Sequence, residues 1–177
     1  MTGSGLRAYS RAMLRRALLL VTAAVLSFSL APAASAEPVK TVTVAHGPVT
    51  ATVVPVIPGT ASPGDLRLFH IALTRPGRTK TIGFLSGSLL TTAVGVPAVG
   101  KELRSADLVF TVGAAKNQLV IGGTAGYDQQ APTVAKKSST IRPVLGGSGR
   151  YAGARGWCES VHRKDGTWRH TFHIRMS

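Results

Sequence analysis

The chain has 177 residues, of which 21 are Lys or Arg and 7 are Asp or Glu, so its formal net charge is +14. A single cysteine, Cys158, excludes an internal disulfide, so any exported domain must be stabilised by its core. The basic residues are spread along the chain and form no nucleic-acid-binding motif, which predicts no specific nucleic-acid partner.

Residues 1–36 have the three parts of a secretory signal peptide. An uncharged apolar run over 17–31 precedes the small residues Ala34-Ser35-Ala36. Before that run stands a basic segment, with Arg7, Arg11, Arg15 and Arg16. The run is shorter than the roughly 20 residues that span a bilayer, although an uncleaved anchor is the alternative. Cleavage before Glu37 predicts a secreted, extracytoplasmic protein of residues 37–177.

The exported part is itself basic, with 17 Lys or Arg against 7 Asp or Glu and a net charge of +10. Such an excess attracts polyanions, so an anionic envelope surface is an expected partner. Solubility alone is the other explanation of this charge.

Turn residues divide the rest of the chain into short segments rich in β-branched residues, which predicts an all-β sandwich or barrel. Asp165-Gly166 is the clearest hairpin signal. We expect a Val/Thr/Pro-rich lead-in or edge strand over 37–64, followed by the barrel domain over 65–177. Strands are predicted near 40–45, 49–57, 65–74, 80–93, 105–113, 118–124, 139–145, 155–162 and 167–175.

Side chains alternate between the two faces of a strand, which predicts the residues that face inward. Trp168, His170, Phe172 and Ile174 share the face expected to meet the core. In the segment 65–74 both faces are partly apolar. Here His70 is expected on the inward face, and the outer face is suited to contact with another subunit.

A glycine-rich stretch, Val144-Leu145-Gly146-Gly147-Ser148-Gly149-Arg150-Tyr151-Ala152-Gly153-Ala154-Arg155-Gly156, resembles the signature of the dirigent and allene oxide cyclase-like barrel superfamily. Phe69-His70-Ile71 resembles the Phe-His-Asp-Ile run of plant dirigent proteins, with Ile71 at the position of the acid. Phe110-Thr111-Val112-Gly113 resembles the Phe-Thr-x-Gly hairpin of that family. The resemblance covers about Asp65 to Ile174.

The resemblance implies a closed eight-stranded antiparallel β-barrel with a ligand cavity, and a homo-oligomer such as a dimer or trimer. It also implies a hydrophobic small molecule as ligand and chemistry without a cofactor: cyclisation, isomerisation or stereoselective coupling. Confinement of a reactive substrate is the expected means. Because Ile71 replaces the acid, radical coupling as in the plant proteins is not expected to carry over directly.

Three residues are candidates for acid–base chemistry: His70, His170 and Asp107. Each has a structural alternative, a hydrogen-bonded core histidine for the first two and a surface or turn group for Asp107. The candidates for ligand binding are Arg155, Tyr151, Trp168 and Phe172. Arg155 is equally suited to holding the glycine loop in place, and Tyr151 to packing.

The glycine loop contains Gly146, Gly147, Gly149, Gly153 and Gly156, which predicts positive φ angles or close backbone approach. A phosphate-binding loop is the alternative, but that motif requires a following helix. No metal site is predicted, because His170 and His173 point to opposite faces of one strand. Cys158 is expected to be buried and inert.

Three classes of function remain open. The first is a secreted barrel that binds a hydrophobic small molecule and acts as a cofactor-independent cyclase or isomerase, or as a stereochemical guide. The alternative is a non-catalytic cationic module that binds the envelope or another polyanion. A structural oligomer or an inhibitor-like barrel is the third hypothesis. The barrel cavity distinguishes these classes: we expect it to be open and lined by a few polar groups in the first class, and filled with side chains in the others.

Overall fold

The computed structural model describes residues 37–176, so the predicted signal peptide lies outside the described residues. The described chain forms nine antiparallel strands and one short 3₁₀ turn, Gly149–Tyr151. The strands are β1 Lys40–His46, β2 Thr52–Val54, β3 Leu66–Thr74, β4 Thr81–Val94, β5 Lys101–Val112, β6 Gln118–Asp128, β7 Ser139–Gly147, β8 Ala154–His162 and β9 Trp168–Met176. Within residues 37–176 no helix is long and apolar enough to span a membrane.

Eight of these strands close into an antiparallel barrel, which confirms the predicted fold class. The hydrogen-bonded order runs β1-β9-β8-β7-β6-β5-β4-β3, and β3 returns to β1. The short strand β2 pairs with β3 as an additional edge. Residues 37–64 therefore contribute a barrel strand as well as an edge strand, and the barrel begins at Lys40 rather than at Asp65.

The two ends of the barrel differ in their loops. We call the end that carries the loops 47–51, 95–100, 129–138 and 163–167 the upper end. The lower end carries 75–80, 113–117 and 148–153. Asp165-Gly166 forms the expected tight turn, in which the amide of Arg163 donates to the carbonyl of Thr167 at 2.8 Å.

The core fills the middle of the barrel and follows the period-two pattern of the strands. Trp168, His170, Phe172 and Ile174 are all buried, as predicted for one face of β9. Phe172 meets Phe110 edge to face at 5.0 Å between ring centroids. Cys158 is fully buried, and burial raises the pKa of its thiol to about 12, as expected for an inert cysteine.

The glycine loop joins β7 to β8 through the 3₁₀ turn, and no helix follows it. Gly149 has a φ of +60°. Gly156 lies in β8 with a φ of +143°, and a Cβ there would overlap the carbonyl oxygen of His173 on β9. Close approach of two backbones, rather than phosphate binding, accounts for the glycine at position 156.

We therefore expect Gly156→Ala to destabilise the barrel by about 1–3 kcal/mol or more, because the new Cβ adds a clash to an unfavourable φ. Gly146→Ala is the matched control. A Cβ at Gly146 meets nothing nearer than the flexible end of Arg155, at 3.7 Å. Chemical denaturation of both variants measures the difference, and equal stabilities would contradict this account.

Candidate functional site

A small cavity lies inside the upper part of the barrel, with a volume of about 40 Å³. Strands β1, β6, β7, β8 and β9 supply most of its polar residues, and β4 and β5 supply its leucines. The cavity is lined by His46, Val49, Phe69, Leu85, Leu89, Leu108, Tyr127, Thr133, Arg142, Ser160, Trp168 and His170. Its volume suits one or two water-sized groups.

Trp168 stacks against three histidines at this end of the barrel. The ring of His162 lies parallel to it at 4.5 Å between centroids, and His170 and His46 follow at 5.9 and 6.0 Å. His46 and His170 also stack on each other at 5.0 Å. The three strands β1, β8 and β9 bring these rings together because His46, His162 and Trp168 are neighbours in the register.

His170 is held by one of its two ring nitrogens. Its Nδ1 lies 2.8 Å from the hydroxyl of Ser160, whereas its buried Nε2 has no hydrogen-bond partner within the described chain. Burial, followed by the charges of His46 and Arg142, lowers the pKa of His170 well below its usual value. The imidazole is therefore neutral at pH 7.

His46 is neutral for the same main reason. Burial lowers its pKa, and the carbonyl of Gly47, which accepts from Nδ1 at 2.6 Å, opposes that shift in part. His162 donates through Nδ1 to the carbonyl of Val134 at 2.8 Å. Both rings are thus oriented by backbone carbonyls of the upper loops.

Arg142 brings a cation into the cavity. Its side chain is 4 % exposed, and it donates to the hydroxyl of Tyr127 at 2.7 Å and to the hydroxyl of Thr140. Within the described residues no carboxylate forms an ion pair with it, and its Nε has no partner. A buried guanidinium without a counter-ion favours an oxygen ligand that carries negative charge.

A second buried group of charges lies beside Tyr127. Glu102 forms ion pairs with Arg104 and with Arg67, the latter at 3.2 Å, and all three side chains are at most 2 % exposed. Arg104 also lies over the ring of Tyr127, 4.4 Å from its centroid. This cluster places Tyr127 between the ion pairs and Arg142, and so positions the phenol that Arg142 binds.

The structure brings together only some of the residues that the sequence singled out. His170 and Trp168 line the cavity, whereas Phe172 lies in the core beneath it. Tyr151 is buried at the lower end, where its hydroxyl accepts from Arg150 at 2.7 Å. Arg155 is exposed and donates to the carbonyl of Ala154 at 2.9 Å, so it lies outside the cavity.

Two of the proposed acid–base residues are on the outside of the barrel. The inward placement of His70 is wrong, whereas Asp107 is the surface group that was its structural alternative. His70 is exposed, 2.7 Å from the hydroxyl of Ser86, and stacks on Phe84 at 4.8 Å. The reason is that Arg67 and Leu73 are buried, which turns the odd-numbered residues of β3 inward. Asp107 is exposed because the even-numbered residues of β5 from Glu102 to Val112 face the interior.

Sequence reasoning missed Arg142, His46, Tyr127 and Ser160. Arg142 and His46 each stand at positions that the alternation of their strands makes inward, which is the signal that was available. No group of three or more His, Cys, Asp and Glu in the described chain is arranged to hold a metal ion. His173 does point away from His170, and stacks on Trp157 at 5.0 Å.

The comparisons with known proteins give a fold. A scan of protein-family models and a search of curated proteins found no match. Among solved structures, pyocyanin demethylase matches with a TM-score of 0.58 and 15 % identity, over 78 % of this chain and 100 % of that one. The pterocarpan synthase dirigent protein matches with a TM-score of 0.52 and 16 % identity, over 80 % and 85 %.

A third neighbour is described as a nonspecific haem-binding cyclase that catalyses a [4 + 2] cycloaddition. It matches with a TM-score of 0.58 and 16 % identity, over 100 % of this chain and 84 % of the other. These likenesses confirm the expected dirigent and allene oxide cyclase-like barrel fold. At such low identity they establish the fold alone, and the absence of a cofactor stays a prediction.

The neutral state of His170 predicts a dependence of stability on pH. The unfolded chain takes up a proton near pH 6.5, whereas the folded chain does so only at lower pH, so stability falls as pH decreases below about 6.5. The slope is at most about 1.4 kcal/mol per pH unit for this one proton. His170→Gln should reduce the slope between pH 4.5 and 6.5 by about that amount, measured by urea denaturation across this range.

His173→Gln is the control for that measurement, because His173 lies on the outer face of the same strand and is only partly buried. An unchanged slope in His170→Gln, or an equal change in both variants, would contradict the buried neutral imidazole.

Proposed function

We propose that this barrel binds a hydrophobic small molecule through an oxygen atom and guides its cyclisation, isomerisation or stereoselective coupling. One observation carries the proposal. Arg142, Trp168 and His170 line the same cavity, and each has a buried nitrogen without a partner in the described chain: Nε, Nε1 and Nε2. Unpartnered buried polar atoms are rare in folded proteins and call for a ligand or ordered water.

The three groups have complementary roles in this proposal. Arg142 and the indole N–H of Trp168 donate to an oxygen on which negative charge develops, as in an enolate or phenolate. When Nδ1 of His170 carries the proton and donates to Ser160, Nε2 accepts a proton from the substrate; the other tautomer makes Nε2 the donor. The apolar residues Leu85, Leu89 and Leu108 exclude water from this oxygen.

The cavity holds only the polar end of such a ligand, since pockets for complete metabolites measure roughly 300–1,000 Å³. Val49 and Thr133 are half-buried members of its lining and lie in the upper loops 47–51 and 129–138. In this proposal the two loops separate to admit the apolar part of the substrate. Loop movement of this kind is common in enzymes that enclose their substrates.

Binding is tested with 4-nitrophenol, a small aromatic phenol, on purified residues 37–177. Trp157→Phe serves as the background, because it leaves Trp168 in the cavity as the one tryptophan of the chain. We expect saturable quenching of Trp168 fluorescence. Arg142→Met should weaken it about 10- to 100-fold, as expected for a hydrogen bond to a charged group worth about 1.5–3 kcal/mol.

Arg155→Met is the matched control, since it removes the same charge from the outside of the barrel. Circular dichroism confirms that each variant is folded. Absence of saturable quenching, or an equal loss of affinity in Arg142→Met and Arg155→Met, would reject the cavity as the ligand site.

The basic surface supports a second candidate, a non-catalytic module that binds the anionic envelope after export. Lys101–Asp128 is the one ion pair between exposed side chains in residues 37–176, which leaves the other surface cations unpaired. Salt screens exposed charges over a Debye length of about 10 Å at 0.1 M. We expect 0.5 M NaCl to release the protein from envelope preparations, whereas retention at that concentration would contradict this role.

A further inference from the structure

A groove of about 870 Å³ opens at the lower end of the barrel. It lies at the opposite end from the small cavity that His46 and His170 line, which we call the histidine cavity. One wall is the first part of β1, from Lys40 to Val44. The other walls come from Arg75-Pro76, from the start of β4 and from the end of β5. Val42, Ile82, Val112 and Tyr151 are among the apolar residues of its lining.

The groove exists because β1 pairs along its whole length on one side only. All seven residues from Lys40 to His46 pair with β9. On the other side, Ala45 opposite Thr74 is the single pair with β3, since β3 ends at Thr74 and the chain turns away. The lower half of β1 is therefore a free strand edge inside the groove.

The backbone groups at this edge can be identified. The carbonyl of Ala45 accepts from the hydroxyl of Thr74 at 3.3 Å, so it points away from β9 and toward β3. Backbone groups of an antiparallel strand alternate in direction, so the N–H and C=O of Thr43 and Thr41 point the same way. Neither residue has a backbone partner on that side within the described chain, and both line the groove.

The groove is also cationic. Lys40, Arg75 and Arg150 line it, and no Asp or Glu does. None of the three forms an ion pair within residues 37–176. The three lower loops, 75–80, 113–117 and 148–153, contain further basic residues and no acidic residue at all.

We propose that the groove binds an extended acidic peptide segment, which adds to β1 as a strand beside Thr41–Thr43. Strand addition uses main-chain hydrogen bonds for affinity and alternate side chains for specificity. Apolar side chains of one parity would contact Val42, Ile82 and Val112, and carboxylates would pair with Lys40, Arg75 and Arg150. A second copy of this chain is disfavoured at the same edge, because its own cationic rim would face this one.

The probe is a fluorescein-labelled, end-blocked peptide, Val-Glu-Val-Glu-Val-Glu-Val, and binding to residues 37–177 is followed by anisotropy. We expect saturable binding. The same peptide with alternate amides N-methylated keeps its charge but loses the N–H donors along one of its edges, and should bind at least about fivefold more weakly. A peptide with Lys in place of Glu should not bind.

Substitutions in β1 test the same edge from the protein side. Thr43→Pro removes an N–H that faces the groove and takes no part in the hydrogen bonds to β9. It should weaken peptide binding about 3- to 10-fold. Thr43→Val keeps that N–H and is the matched control, with less than a twofold change. Arg75→Ala should weaken binding about two- to fivefold, and Arg163→Ala in the upper turn should have no effect.

Three outcomes would overturn the proposal: no saturable binding, equal binding of the parent and N-methylated peptides, or a dimer of this chain that the peptide dissociates. Equal binding would show adsorption by charge alone, and the dimer would assign the edge to a second copy. The comparison of the two peptides uses the unsubstituted protein, so it stands even if Thr43→Pro does not fold. It is also independent of the histidine cavity, whose occupancy Trp168 reports separately.

Discussion

The pairing of β1 decides how this barrel is closed and where it is open. On one side β1 pairs with β9 from Lys40 to His46, but on the other side β3 meets it only at Ala45. Closure therefore occurs at the upper end, where His46 is brought into the interior opposite Trp168. The lower end stays open along the same strand.

Closure at the upper end has an electrostatic consequence. Four charged side chains are buried there together: Arg67, Glu102, Arg104 and Arg142. A buried charge is tolerated only when it has partners. Glu102 serves two of the arginines, and burial lowers the pKa of Arg104. Arg142 has only the neutral hydroxyls of Tyr127 and Thr140. Arg142 is thus the one arginine of these three that has no carboxylate partner, and it lies beside the cavity, which is why the proposed ligand carries an oxygen atom there.

The sequence predicted the architecture well because closure imposes a strict alternation on long strands. In β9 the apolar residues of one parity are unambiguous, and Trp168, His170, Phe172 and Ile174 all lie inside as predicted. In β3 the alternation did not show which face points into the barrel, because the neighbouring residues Leu68 and Phe69 are both apolar. There a buried ion pair decides, since Arg67 must face Glu102. A basic residue is ordinarily assigned to the surface, so sequence reasoning placed His70 on the wrong face.

The same limit explains the missing part of the candidate site. Arg142 and Glu102 are of residue types that are ordinarily found at the surface. Only the pairing of β5, β6 and β7 shows that they share an interior with Tyr127. The β1 edge was equally hidden, because it depends on where β3 stops rather than on any residue of β1.

The position of Ile71 links the fold to the proposed chemistry. It has the inward parity of β3, opposite Leu85, so the site at which the plant dirigent proteins carry an acid is apolar in this chain. The proposed function accordingly assigns proton transfer to another wall of the barrel, where His170 lies. The titratable groups at the cavity belong to β1, β6, β7 and β9, with a neutral imidazole on β9 and a permanent cation on β7. A neutral base beside a fixed cation favours the formation of an enolate or phenolate over the protonation of a leaving group, because the cation stabilises the anion that the base creates. In the proposed function, isomerisation or cyclisation therefore begins with loss of a proton from the substrate.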